Sequence, residues 1–314
     1  MRGFFTQAVA VLYDRAPTLS AISDALATPI LRRIDESDMW QLSGPSVIVD
    51  YRRAVNGLVA VDVVDRAWPD EMGSPDVDPN TFGAWSMGHF GPFAYPGNLG
   101  RAVEQAWTWP GGAAQAIAKH GAFVRLRVSY AFGSKDEDKL IPESWDPLSE
   151  LRIITRYASR LTALPGAIAF FDPNGEVLVP ARELAPHLAS ADKHGHPPID
   201  TWTNVRMMSL RQVAPGWTMM DTVGMAQLDR PDLEVVFKRD PISPDDVARF
   251  LRNVSLYVLT NGDVIKDGHT VDGPGGKWRA TMHEEGLSGP PRATIRFVPD
   301  GVDVPEALLQ TPPS

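Results

Sequence analysis

Residues 122–132, Ala-Phe-Val-Arg-Leu-Arg-Val-Ser-Tyr-Ala-Phe, alternate apolar and polar side chains. A period of two marks a β-strand with one face in a core, because successive side chains leave the backbone on opposite sides. A chain holding such a strand must build a sheet around it, and neighbouring segments supply candidates. Residues 6–13, 46–51 and 57–64 are short apolar runs of strand type, and the link 52–56 is short enough for a hairpin. Thr18 precedes Leu19, Ile22 and Leu26, the spacing of a short amphipathic helix capped by a hydroxyl. The first 64 residues therefore read β-α-β-β.

The next stretch, 65–96, has neither period and is cut repeatedly by Pro and Gly. It is nonetheless rich in large apolar groups, among them Trp68, Met72, Phe82, Trp85, Phe90, Phe93 and Tyr95. Disordered linkers are poor in these, so the segment is expected to be ordered and packed onto something. Helices are predicted over 98–107, 110–120, 147–164 and 181–191, and a hairpin over 166–171 and 177–179 across Asp172-Pro173-Asn174-Gly175. This repeats the β-α-β-β order and suggests a duplication of the first unit. The last third reads as strands at 204–210, 217–223, 233–237, 278–282 and 293–298. A helix begins after Ser243, with Pro244 first, Asp245 and Asp246 in its opening turn, and Gly262 at its end. The expected class is α+β, with mostly antiparallel sheets and helices on one face. At ~150 residues per domain, 314 residues make two domains or one large one. The expected division is 1–96, 97–298 and a flexible tail at 299–314.

Composition narrows the chemistry. There is no cysteine, which removes disulfide scaffolds, thiol nucleophiles, iron–sulfur clusters and thiolate zinc sites. Thirty Lys and Arg against 39 Asp and Glu give a net charge of −9, without a basic stripe to neutralise phosphates, so nucleic-acid binding is disfavoured. No apolar run is long enough to span a membrane. The N-terminal run has one basic residue and no cleavage signature, and Asp14-Arg15 closes it early, so it reads as a first strand of a cytoplasmic protein.

Catalytic motifs fail on their spacing. Gly286-Leu287-Ser288-Gly289 is not a nucleophile elbow. Asp272-Gly273-Pro274-Gly275-Gly276-Lys277 lacks the first Gly and the hydroxyl of a phosphate loop, and reads as a tight turn. Asp76-Val77-Asp78-Pro79-Asn80 opens like a calcium loop, but Thr81 and Met87 stand where Gly and Glu belong. His283-Glu284-Glu285 lacks the second His of a zincin helix. His194 and His196 could share an ion with Asp192 or Asp200, although in a Pro-flanked loop they read better as solvated. Asp221 is expected to bond a turn backbone rather than act as a general base. No catalytic, metal or cofactor site is expected.

Three patterns in the last third carry a resemblance. Trp-Thr-Met-Met-Asp-Thr-Val-Gly-Met (217–225) with Pro-Asp-Leu-Glu (231–234), the capped helix, and Val-Ile-Lys-Asp-Gly-His-Thr-Val-Asp-Gly (264–273) together resemble the bacterial family "domain of unknown function 4261". The resemblance covers roughly 198–298 and is weaker at the N-terminus. It implies no chemistry, because the family's function is unassigned. By context it implies an immunity or accessory protein of a toxin-delivery system. The expected function is thus protein binding, most concretely neutralisation of a basic toxin or effector by occlusion. A secretion adaptor, or a hydrolase with a His/Asp site, is the alternative. The expected contact residues are Trp68, Asp70, Glu71, Asp76, Asp78, Trp85, Phe90, Phe93 and Tyr95, aromatic anchors with an acidic rim.

Overall fold

The computed structural model describes residues 4–37, 42–107, 109–132 and 141–310. The chain forms two compact units, residues 1–201 and 202–314.

In chain order the first unit comprises β1 (Gln7–Tyr13), α1 (Leu19–Leu26), β2 (Ile30–Ile34), β3 (Ser46–Arg52), β4 (Gly57–Val64), α2 (Pro79–Ser86) and α3 (Asn98–Glu104). It continues through α4 (Ala113–Ile117), β5 (Ala122–Ser129), α5 (Pro147–Leu161), β6 (Ala167–Asp172), β7 (Val177–Pro180) and α6 (Ala181–His194). Its seven strands form one sheet in the order β2-β3-β4-β5-β1-β6-β7, with every neighbouring pair antiparallel. The predicted alternating strand, β5, sits at the centre between β4 and β1. That placement overturns a boundary at residue 96, because 97–201 supplies strands to the same sheet as 1–96. Both β-α-β-β stretches contribute strands to this one continuous sheet.

Both faces of this sheet are covered. On one, Ala10 and Leu12 of β1 and Phe123 of β5 pack under Trp68, Trp85, Phe90, Leu99 and Ile117. Tyr13 points to the opposite face, and its hydroxyl donates to the Leu161 carbonyl of α5 (2.7 Å). Helices confined to one face, as expected, therefore do not describe this unit. Every residue of β5 is buried, Arg125 and Arg127 included. The edge strand β2 escaped the sequence reading because Ile-Leu-Arg-Arg-Ile does not alternate and its centre is exposed.

The second unit comprises β8 (Asn204–Ser209), β9 (Trp217–Val223), β10 (Asp232–Lys238), α7 (Pro244–Asn261), β11 (Thr270–Gly273), β12 (Gly276–His283) and β13 (Thr294–Pro299). Its sheet runs β11-β12-β13-β10-β9-β8; only β10 and β13 pair parallel. The Ser243 side chain caps α7 as expected, accepting from the Asp245 amide (3.3 Å). Val247, Phe250, Leu251, Val254 and Val258 of α7 pack against Met220, Val235, Phe237 and Trp278. The Gly-rich stretch is the β11–β12 turn, where Gly273 pairs with Gly276. The expected flexible tail is docked: Val304 and Leu308 join Trp217, Met219 and Val236 in a core on the sheet's other face. Residues 311–314 of that tail lie outside the described residues. Among the described residues no helix is long and apolar enough to cross a membrane.

Candidate functional site

The segment 65–97 is built from the inside outwards. Trp68 lies at its centre, with ring centroids 5.1 Å from those of Phe90, Phe123 and Phe171 and 6.4 Å from Trp85. Its Nε1 donates to Asn98 Oδ1 (3.1 Å), and Asn98 Nδ2 donates to the Pro173 carbonyl (3.1 Å). Asn98 thus ties the segment to the β6–β7 turn instead of capping α3. Capping falls to Asp70, which accepts from the amides of Leu99 (2.7 Å) and Gly100 (2.8 Å). A carboxylate at a helix N-terminus satisfies orphan amides and faces the positive end of the dipole. Asp78 does the same for α2, accepting from the Thr81 amide (3.1 Å). The signal for α2 was legible as Asp78 before Pro79, an N-cap followed by proline at the first helical position.

The nine expected contact residues separate into two sets. Trp68, Trp85 and Phe90 are core side chains, so they can hold a surface in place but do not form one. Glu71, Asp76 and Tyr95 are exposed, and Asp70, Asp78 and Phe93 are half-buried. Two outward residues were missed: Val77, 87% exposed, and Met87, 45% exposed. Nothing in their local sequence distinguishes them; their direction follows from how α2 is anchored.

Beneath this segment lies a charged group inside the sheet. Asp62 of β4 stands opposite Arg125 of β5 and accepts from its Nη2 (2.8 Å) and from Arg127 Nη2 (3.1 Å). Arg125 Nη1 donates to the carbonyl of His89 (2.9 Å), which fastens the aromatic segment to the sheet. The Arg127 guanidinium lies 4.1 Å from the Phe5 ring centroid. Burial pushes Asp62 up, but the two guanidiniums outweigh it and hold the carboxyl below the usual range. Burial, with Arg125 beside it, pushes Arg127 down to about 9.

The second unit carries a longer array. Cross-strand register places Arg206 opposite Asp221, Asp221 opposite Glu234, and Glu234 opposite Arg296, a row of charges across β8, β9, β10 and β13. Asp221 accepts from Arg206 Nε (3.0 Å) and Nη2 (2.7 Å), from Ser288 Oγ (2.6 Å) and from Arg292 Nη2 (2.5 Å). Glu234 accepts from Arg296 Nε (3.0 Å) and from the Leu287 amide (2.7 Å). Asp221 is therefore an ion-pair centre, not the turn-bonding group expected of it. That role belongs to Asp232, which accepts from the Met225 amide (3.1 Å) and Thr222 Oγ1 (2.8 Å). Arg206, Asp221, Glu234 and Arg296 lie opposite one another on sheet strands, so their pairing favours one register, while Ser288 and Arg292 reach Asp221 from the segment between β12 and β13.

The acids of this array shift in opposite directions. Burial pushes Asp221 up, but Arg292 and Arg206 outweigh it and hold it low. Burial also pushes up Asp232 and Glu234, and there the nearby arginines do not compensate. A lowered carboxylate stabilises the fold above the unfolded value and loses that contribution as pH falls. A raised one costs stability when ionised, and protonation relieves the cost. Urea midpoints are thus expected to drop below about pH 4 as Asp62 and Asp221 protonate, while between pH 7 and about 5 the relief at Asp232 and Glu234 is opposed by His283, which burial holds below its usual value. A urea midpoint that does not fall between about pH 4 and 2 would contradict the depression of Asp62 and Asp221.

Of the histidines, His120 is held within the fold and His194, His196 and His269 are exposed. His120 Nε2 accepts from the Trp68 amide (3.0 Å). His194 and His196 stack 5.9 Å apart at the surface, each with Nδ1 at a backbone carbonyl. Among the described residues no group of three or more His, Asp or Glu side chains is placed to hold a metal ion.

Comparison with known families places one part of this geometry. Residues 221–298 match the family described as "Domain of unknown function (DUF4261)", a span that opens on Asp221 and contains Asp232, Glu234, Ser288, Arg292 and Arg296. No curated protein and no solved structure matches the chain.

Proposed function

We propose that the protein binds a basic protein partner through the outer surface of residues 65–97, as a cytoplasmic immunity protein that occludes a toxin or effector. The observation that supports this reading is the division of that segment into buried anchors and an outward acidic face. Asp65, Glu71 and Asp76 are exposed, with the half-buried helix-capping Asp70 and Asp78 among them, against Arg66 alone and beside the exposed Val77, Met87 and Tyr95. Anchored backbone lowers the ordering cost of binding, apolar groups supply contact area, and excess negative charge steers a basic partner. The partner's active site would be blocked sterically.

The test is affinity capture from native lysate with mass spectrometry, followed by association kinetics with the captured partner. A stoichiometric basic toxin-like protein is the expected catch. Charge reversal by Glu71→Lys with Asp76→Lys should slow association about tenfold at low salt and much less at high salt. Both side chains are exposed, so folding should be unaffected. Capture of a secretion component would favour an adaptor role instead. Unchanged kinetics would remove this surface from the function.

A further inference from the structure

Where β2 and β4 end and β3 begins, a cavity of about 750 Å³ opens at one end of the first unit's sheet. That volume lies in the range of ligand-binding pockets. Its floor depends on Gly44, where a Cβ would overlap the carbonyl of Val63, so only glycine lets the segment before β3 approach β4 this closely. Leu19, Leu42, Val63 and Val64 supply an apolar wall.

The charges around the cavity do not balance. Asp35 is engaged by Arg33 at 2.6 Å. Asp78 accepts from the Thr81 amide (3.1 Å), and its carboxyl is held below the usual value first by the Thr81 hydroxyl and amide and last by Arg66. Asp65 also lines the cavity, is exposed, and forms no hydrogen bond or ion pair among the described residues. Among the described lining residues the acids Asp35, Asp65 and Asp78 stand against Arg33 and Arg66, an excess of one negative charge beside an apolar wall. A lysine or arginine side chain matches both features, since its aliphatic stem covers apolar surface while its cationic head reaches a carboxylate.

We propose that this cavity receives basic side chains, lysine or arginine, from a partner segment, with Asp65 as the receiving carboxylate. The inference rests on the reading of a basic partner and adds a second, recessed contact to it, continuous with the outer surface through Asp78 and Asn80.

The experiment is an NMR titration of the isotope-labelled full chain with the capped peptide acetyl-Gly-Arg-Gly-Lys-Gly-amide, using acetyl-Gly-Glu-Gly-Glu-Gly-amide as control. Amide shifts should concentrate at residues 16–19, 42–45 and 63–66 for the basic peptide and be absent for the acidic one. Asp65→Lys should weaken binding about tenfold, because one attraction becomes a repulsion. Asn80→Trp, which narrows the cavity without changing charge, should abolish the shifts. Glu71→Lys, outside the cavity lining, should leave the peptide affinity within about twofold. Shifts outside the cavity, or an Asp65→Lys affinity equal to the parent's, overturn the inference whether or not a partner is captured. Binding in the cavity without capture of any basic protein leaves the inference standing and defeats the functional reading.

Discussion

Asp221→Asn is expected to destabilise the second unit by about 3–5 kcal/mol, as for other buried ion pairs that lose one partner. Its carboxylate receives Arg206, Arg292 and Ser288 at 2.5–3.0 Å, and its side chain is fully buried. Asparagine keeps the shape but removes the charge, so two guanidiniums stay buried with no full countercharge at that position. The exposed pair Arg249–Asp246, with side chains 69% and 51% exposed, is the control. Asp246→Asn should change stability by under about 1 kcal/mol, because water screens that pair. Chemical denaturation of the full chain at pH 7 measures both. Equal effects would mean that the row is not stabilised by charge compensation. The same variant should flatten the drop in urea midpoint below about pH 4, since one of the depressed buried carboxylates is then gone.

Trp68→Ala should cost the first unit about 3–5 kcal/mol, through lost transfer free energy and the cavity left behind. The ring contacts four other aromatic rings, and its Nε1–Asn98 bond leads on to the Pro173 carbonyl. Trp68→Phe should cost less, because it retains most of the packing while giving up that bond. The consequence reaches the surface. Hydrogen exchange should accelerate in Pro79–Ser86 in the alanine variant, and partner binding should weaken although Trp68 is buried and exposes almost nothing to a partner. Denaturation together with exchange measures this. Destabilisation with unchanged exchange in α2 would show that the segment is held by something other than its aromatic anchor.

Much of the fold was legible because its signals are local. Ser243, Pro244 and the two following acids announce α7 within one turn, and Thr18 does the same for α1, accepting from the Ala21 amide at 3.2 Å. A period-two run located β5, short apolar runs located β1, β3 and β4, and the order of short motifs located the family-like region. Other features were misread because local sequence leaves them open. Asn98 has the residue type of a cap, yet Asp70, distant in sequence, takes that role. Arg125 and Arg127 looked like the solvent side of a half-buried strand, but helices and loops cover that face as well.

The amino-acid sequence by itself determined the α+β class, most element positions, the lack of thiol chemistry and the ordered character of residues 65–96. These depend on side-chain period, capping residues and composition, which act over a few positions of chain. Only the tertiary structure decided where the units divide, which rings of the aromatic segment are anchors, and which acids meet which arginines. Asp62 with Arg125, and Asp221 with Arg292, are separated by 63 and 71 residues. Strand register brings Asp62 to Arg125, the chain segment leading into β13 carries Arg292 to Asp221, and burial in a low-dielectric interior strengthens both pairings.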